Sequence, residues 1–138
     1  MVQTIHYNQL NEAMNTSKFI MPGNVKAGMA ATEFVGSDRY AMVVINVIGA
    51  KTIRVAHLRD EHESLLKTDE NGVQWLPDEL LESYLKADVP NEFGYYNYFA
   101  GTTYTFRKNN RWMPKGEGMW GTCSISIGYA ENYRDPSF

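Results

Sequence analysis

The stretch Thr32-Glu33-Phe34-Val35-Gly36-Ser37-Asp38-Arg39-Tyr40-Ala41-Met42-Val43-Val44-Ile45-Asn46-Val47-Ile48-Gly49-Ala50-Lys51-Thr52-Ile53-Arg54-Val55 decides the fold. Three runs of β-branched and aromatic residues, the types that fit a pleated, half-buried surface, lie within it. Gly36-Ser37-Asp38 and Gly49-Ala50-Lys51 separate them with turn-forming residues. The pattern predicts a three-stranded antiparallel meander within residues 25–58.

Outward from this core, residues 1–24 read as an N-terminal extension. It carries a short helical candidate from His6 to Asn15, with Leu10 and Met14 four apart, then the turn signal Pro22-Gly23-Asn24. Residues 59–92 form an acidic loop and a helix. Pro77, Asp78 and Glu79 mark the helix start, because proline loses nothing there and acids complement the dipole. Leu80, Leu81, Tyr84 and Leu85 place one stripe on the sheet, and Val89-Pro90-Asn91 ends the helix. Residues 93–138 read as C-terminal β-hairpins, with strands expected at Tyr95–Phe99, Thr102–Lys108, Arg111–Met113 and Cys123–Tyr129. Asn109-Asn110 between Arg107-Lys108 and Arg111-Trp112 signals a two-residue hairpin turn, since asparagine tolerates positive φ. The whole of 1–138 is expected to form one β-rich α+β domain, an antiparallel meander, curled sheet or partly open small barrel with one or two packed helices.

Composition narrows the function classes. The chain has 138 residues, 43% hydrophobic and 21% charged, enough for one domain with a real core. Aromatics reach 13%, with nine tyrosines. The formal charge of -3 argues against coating duplex nucleic acid or a membrane through bulk positive charge. That charge is unevenly placed: ten acidic and two basic residues fall in Asp60–Glu92, and both flanks are mildly positive. A lone cysteine, Cys123, excludes an internal disulfide and a multi-cysteine zinc cluster. With no export signal and no apolar run of membrane-spanning length, a cytoplasmic protein is expected.

No catalytic or metal motif stands out, and no cofactor is implied. His57, Asp60, Glu61, His62 and Glu63 carry ligand atoms at no known metal spacing, so a solvated acidic loop is the reading. Asp69-Glu70-Asn71-Gly72 lacks the alternating carboxylates of a calcium loop and reads as a turn. Gly116, Gly118 and Gly121 lack the lysine and helix of a phosphate loop. The informative segment is Tyr104–Lys115, with Phe106, Arg107, Asn109, Asn110, Arg111 and Trp112: four basic residues, three aromatics and no acid. Arginine forks match phosphate oxygens, amides match ribose hydroxyls and base edges, and rings stack on purines. The plain alternative is a charged edge hairpin. Arg39 and Tyr40 add a second basic and aromatic pair, relevant to binding if they face this hairpin.

The order Ser37-Asp38-Arg39-x-Ala41-x-Val43-Val44-x-x-Val47, Lys51-Thr52-Ile53-x-Val55, Asn71-Gly72 and Tyr104-x-Phe106-Arg107-Lys108-Asn109-x-Arg111-Trp112 resembles small phage and prophage proteins, the Thoeris anti-defence sponges. The ending Gly128-x-x-x-x-Tyr133-x-Asp135-x-Ser137-Phe138 fits the same group. The resemblance covers about residues 28–138 as motif matches. It implies a non-enzymatic protein in the cytoplasm of an infected bacterium, sequestering a cyclic ADP-ribose signal made by a TIR-domain enzyme. It also implies dimers or larger homo-oligomers, and in some members cyclic oligonucleotide binding. Arg39, Arg107, Asn109, Arg111 and Trp112 match motif positions. The chain departs from the family at Asn110, where glycine is usual, at Cys123-Ser124, where an arginine is usual, and near Arg134 and Pro136, where a second aromatic is usual. The expected ligand-binding set is Arg39, Tyr40, Phe106, Arg107, Asn109, Asn110, Arg111 and Trp112. The competing expectation is a phage structural or adaptor domain, or a small nucleic-acid-binding barrel.

Overall fold

In the computed structural model, which describes residues 20–118, 121, 123–134 and 136, the decisive stretch forms β1 (Ala30–Val35), β2 (Asp38–Gly49) and β3 (Thr52–His57). Then follow α1 (Asp60–Glu63), β4 (Lys67–Thr68), β5 (Gln74–Trp75), α2 (Asp78–Ala87), β6 (Thr102–Phe106), β7 (Trp112–Pro114) and β8 (Cys123–Ile127). The helical candidate His6–Asn15 and the terminal Asp135, Ser137 and Phe138 lie outside the described residues. Neighbouring strands pair antiparallel in the order β1-β2-β3-β6-β7-β8, and β8 returns to β1 with Ala31 opposite Ile127 and Val35 opposite Cys123. The α+β, β-rich small barrel expected from the sequence is what forms, and it is closed rather than partly open, which leaves none of the six strands as a sheet edge. No helix among the described residues is long and apolar enough to cross a membrane.

Strand alternation sorts the core into two layers. Ala31, Met42, Val44, Ile53, Val55, Tyr104, Trp112, Ile125 and Ile127 fill the barrel interior. Ala41, Val43, Ile45 and Ala56 point outward and are covered by Leu58, Leu76 and Tyr84. Both faces of β2 are therefore buried there, which is why Ala41 to Ile45 reads as an unbroken apolar run rather than an alternating one. Register shifts between Val44 and Asn46, and between Val47 and Gly49, bend the far end of β2, where the side chains become exposed.

Two contacts fix the crossover from β3 to β6. Tyr84 on α2 is fully buried; its hydroxyl accepts the Arg59 N–H at 2.9 Å and lies 2.7 Å from His62 Nδ1. His62 is thus a buried structural residue, not a member of a solvated loop. Arg54 donates to both oxygens of Asp88 at 2.7 and 2.6 Å, to Thr103 Oγ1 at 2.7 Å and to the Gly101 carbonyl at 2.6 Å. The Arg54 hydrogen bond holds the Asp88 carboxyl below its ordinary range, and the same bond raises Arg54.

The segment Tyr95–Phe99 is not the strand that its composition suggests. Asn91 Oδ1 accepts the N–H groups of Phe93 and Tyr95, and Asn97 Oδ1 accepts that of Phe99. These local side-chain bonds replace a strand ladder, so the chain turns. Asp69-Glu70-Asn71-Gly72 is a turn as expected, with Asp69 accepting from the Asn71 and Val73 N–H groups and the Trp75 indole.

Candidate functional site

The β6–β7 hairpin forms as the asparagines suggest, with a longer loop than two residues. Arg107 N–H bonds the Arg111 carbonyl, Asn110 N–H bonds the Arg107 carbonyl, and Asn110 alone takes positive φ, 62°. A turn followed by one left-handed residue is a common three-residue hairpin connection. Phe106 stands opposite Trp112, and their rings meet edge to face with centroids 5.2 Å apart. On the far side of β7 the described ladder is sparse: Trp112 opposite Ile125 is the single register pair with β8.

A cleft of about 610 Å³ opens along this seam. Phe106, Trp112, Asn110 and Arg111 line it from the hairpin, Phe34 from β1, and Ser124 and Ser126 from β8. Arg111 is exposed, and its guanidinium makes no hydrogen bond or ion pair to any described residue. Ile20, Met21 and Pro22 complete the wall, so the end of the N-terminal extension belongs to the cleft. An adjoining hollow of about 350 Å³ shares Phe34 and contains Arg39 and Tyr133. Phe34 and Arg39 are cross-strand partners, with the guanidinium 5.5 Å from the Phe34 ring centre and 6.0 Å from that of Tyr133. Backbone bonds between Arg39 and Tyr133, at 2.8 and 2.9 Å, set this arrangement, and Glu131 pairs with one arm of Arg39 at 2.9 Å. That pair is solvent-exposed on both sides and holds the side chain only weakly.

The eight expected residues therefore separate. Phe106, Asn110, Arg111 and Trp112 share the seam cleft, and Arg39 lines its neighbour. Trp112 is 4% exposed, so most of its ring is core and only its margin is a wall. Arg107 is spent on its own loop, donating to Thr105 Oγ1 and to the carbonyls of Glu117 at 2.7 Å and Pro114 at 2.8 Å. Asn109 caps the turn, its Oδ1 accepting the Arg111 N–H at 3.1 Å. Tyr40 packs against the barrel interior and lines a different cleft, of about 600 Å³, with His57, Tyr98 and Phe99.

Phe34 and Ser126 are cleft residues that the sequence did not single out, and Ser124 stood out only as a place where the resembled family usually carries an arginine. Their common location follows from the β1–β8 register, with Phe34 opposite Ser124 and Thr32 opposite Ser126. Among the described residues no group of three or more His, Cys, Asp or Glu side chains is arranged to hold a metal ion. No protein-family model, curated protein or solved structure matches this chain.

Proposed function

We propose that the Phe34 cleft binds a small cyclic nucleotide of the cyclic ADP-ribose type and holds it without degrading it, making the protein a phage-encoded sponge against Thoeris immunity. The observation that carries this reading is Phe34 as the common wall of two hollows, one containing Arg111 and the other Arg39. A pyrophosphate calls for forked cationic donors, and Arg39 and Arg111 supply them. An adenine calls for ring faces and edges, offered by Phe34, Phe106 and the margin of Trp112. Ribose hydroxyls call for groups that both donate and accept, the chemistry of Asn110, Ser124 and Ser126. The seam cleft falls within the roughly 300–1,000 Å³ typical of small-molecule sites. The positive flanks of the chain, rather than its net charge, supply the local field.

The test is ligand depletion and return. Purified protein is mixed with the cyclic nucleotide, separated by filtration, and then heat-denatured. Depletion followed by recovery of the intact nucleotide is expected. Recovery of a cleaved product would make the protein an enzyme, and absence of depletion at micromolar concentrations, corresponding to about -8 kcal/mol, would overturn the reading.

A further inference from the structure

The cleft of about 600 Å³ that Tyr40 lines differs in chemistry from the seam cleft. Four of its lining residues, Tyr40, His57, Tyr98 and Phe99, carry rings. Tyr98 stacks on His57 with ring centres 5.1 Å apart and planes 9° from parallel. Tyr40 meets His57 at 87° and 6.2 Å, and Phe99 meets Tyr98 at 87° and 5.2 Å. The stacked pair thus forms one wall, and the other two rings stand at nearly right angles to it. Rings arranged this way around a hollow can turn their negative faces toward a single guest, which is how aromatic cages hold organic cations.

The walls stand before any guest arrives. Tyr40 and His57 belong to β2 and β3, inside the barrel ladder. Asn97 pins the turn that bears the other two rings: its Oδ1 accepts the Phe99 N–H at 2.8 Å, and its carbonyl accepts the Ala100 N–H at 3.1 Å. Such a preformed wall loses little conformational freedom on binding. Tyr98 is stacked on one side and still 70% exposed, so it has a face to offer.

Charge selects the class of guest. Asp60 and Glu61 line the same cleft, and neither carboxylate makes a hydrogen bond or ion pair to a described residue. The one lining arginine, Arg59, is already engaged. It donates to Ser83 Oγ at 3.2 Å, and its guanidinium lies 4.7 Å from the Tyr84 ring centre and 5.9 Å from that of Phe99. The exposed Arg134 lies 5.5 Å from the Tyr40 ring centre. Two rings of the cleft thus already attract cations of their own chain, and two carboxylates beside them remain unpaired. A linear polyamine, whose ammonium groups alternate with short methylene runs, matches a wall in which carboxylates adjoin ring faces. We infer that this cleft binds a linear polyamine, with ammonium groups on Asp60 and Glu61 and the rest of the chain against Tyr98 and Phe99. It shares no lining residue with the Phe34 cleft, and its test needs no nucleotide, so failure of either reading leaves the other standing.

Titration calorimetry of the full chain with spermidine at about 150 mM salt, where loose surface attraction is screened, tests the site. A dissociation constant of about 1 mM or tighter is expected, and no binding at about 10 mM overturns the proposal. Tyr98→Ala and, separately, Asp60→Asn/Glu61→Gln should each weaken binding about threefold or more. Glu70→Gln/Glu79→Gln removes two exposed acids from outside the cleft and should leave the constant unchanged. Equal weakening by that control pair, or an unchanged constant in Tyr98→Ala, overturns the proposal, since the amine would then be held by the acidic segment at large. Arg134→Ala removes a competing cation from Tyr40 and should tighten binding about twofold or more; weaker binding overturns the proposal, because it marks an anionic guest. Circular dichroism checks the fold of each variant. Should Tyr98→Ala fail to fold, Tyr98→Leu keeps an apolar contact without a ring face, and the same threefold weakening is expected, with no change again overturning the proposal.

Discussion

Arg54 and Arg111 carry the same guanidinium into opposite circumstances. Arg54 reaches Asp88, Thr103 and Gly101 from a side chain that is 18% exposed, and so joins the end of α2 to the start of β6. Arg111 stands at an open cleft beside Phe34 with no bond to a described residue. A cation whose donors are consumed by its own chain is architecture. One left with unspent donors beside aromatic walls has its chemistry directed outward. Arg107, four residues before Arg111, falls on the architectural side despite belonging to the same basic hairpin.

The comparison breaks most visibly at Arg54. Arg54→Ala leaves the nearly buried Asp88 carboxylate without its partner and is expected to cost about 3 kcal/mol in urea denaturation. Nucleotide uptake per folded molecule should be unchanged; a stability loss within about 0.5 kcal/mol would remove the distinction between the two regions.

The hairpin pair sharpens it further. Arg107→Ala should lower stability by about 1–2 kcal/mol by orphaning the loop carbonyls. Arg111→Ala should leave stability nearly intact and weaken nucleotide binding about 10- to 100-fold, measured by titration calorimetry. The reverse assignment, with Arg107→Ala neutral for stability and Arg111→Ala neutral for binding, would refute the separation of roles.

The smallest effect is acid dependence. The Asp88 carboxyl is depressed in the folded state by its Arg54 hydrogen bond. Its contribution is therefore fully present above the unfolded carboxylate value of about 3.9 and is lost as pH falls through the lower folded value. Wild-type stability measured by urea should decline below about pH 4, and Asp88→Asn should decline less over the same window. Parallel curves would show that this pair does not titrate with folding.

The meander was legible because everything that specifies it is local: two turn clusters between three β-rich runs, including the pairing of Phe34 with Arg39 across the first turn. The place of Ser124 beside Phe34 was not, since barrel closure joins strands about ninety residues apart and leaves no local mark. Sequence likewise gives Arg107 and Arg111 the same chemistry. They differ only because the chain after β7 returns the Pro114 and Glu117 carbonyls to Arg107. At Tyr95–Phe99 strand-favouring rings competed with two asparagines, and the asparagine side-chain bonds prevailed.

The sparse β7–β8 ladder has a kinetic consequence. Five register pairs tie β8 to β1, while the described residues tie it to β7 by Trp112 and Ile125 alone. Among the described residues that wall has the fewest register pairs, so its strand amides are expected to exchange with solvent faster than those of the other strand pairings. The seam cleft lies along the same wall, so a local opening there would widen the cleft while the other five strand pairings stay intact.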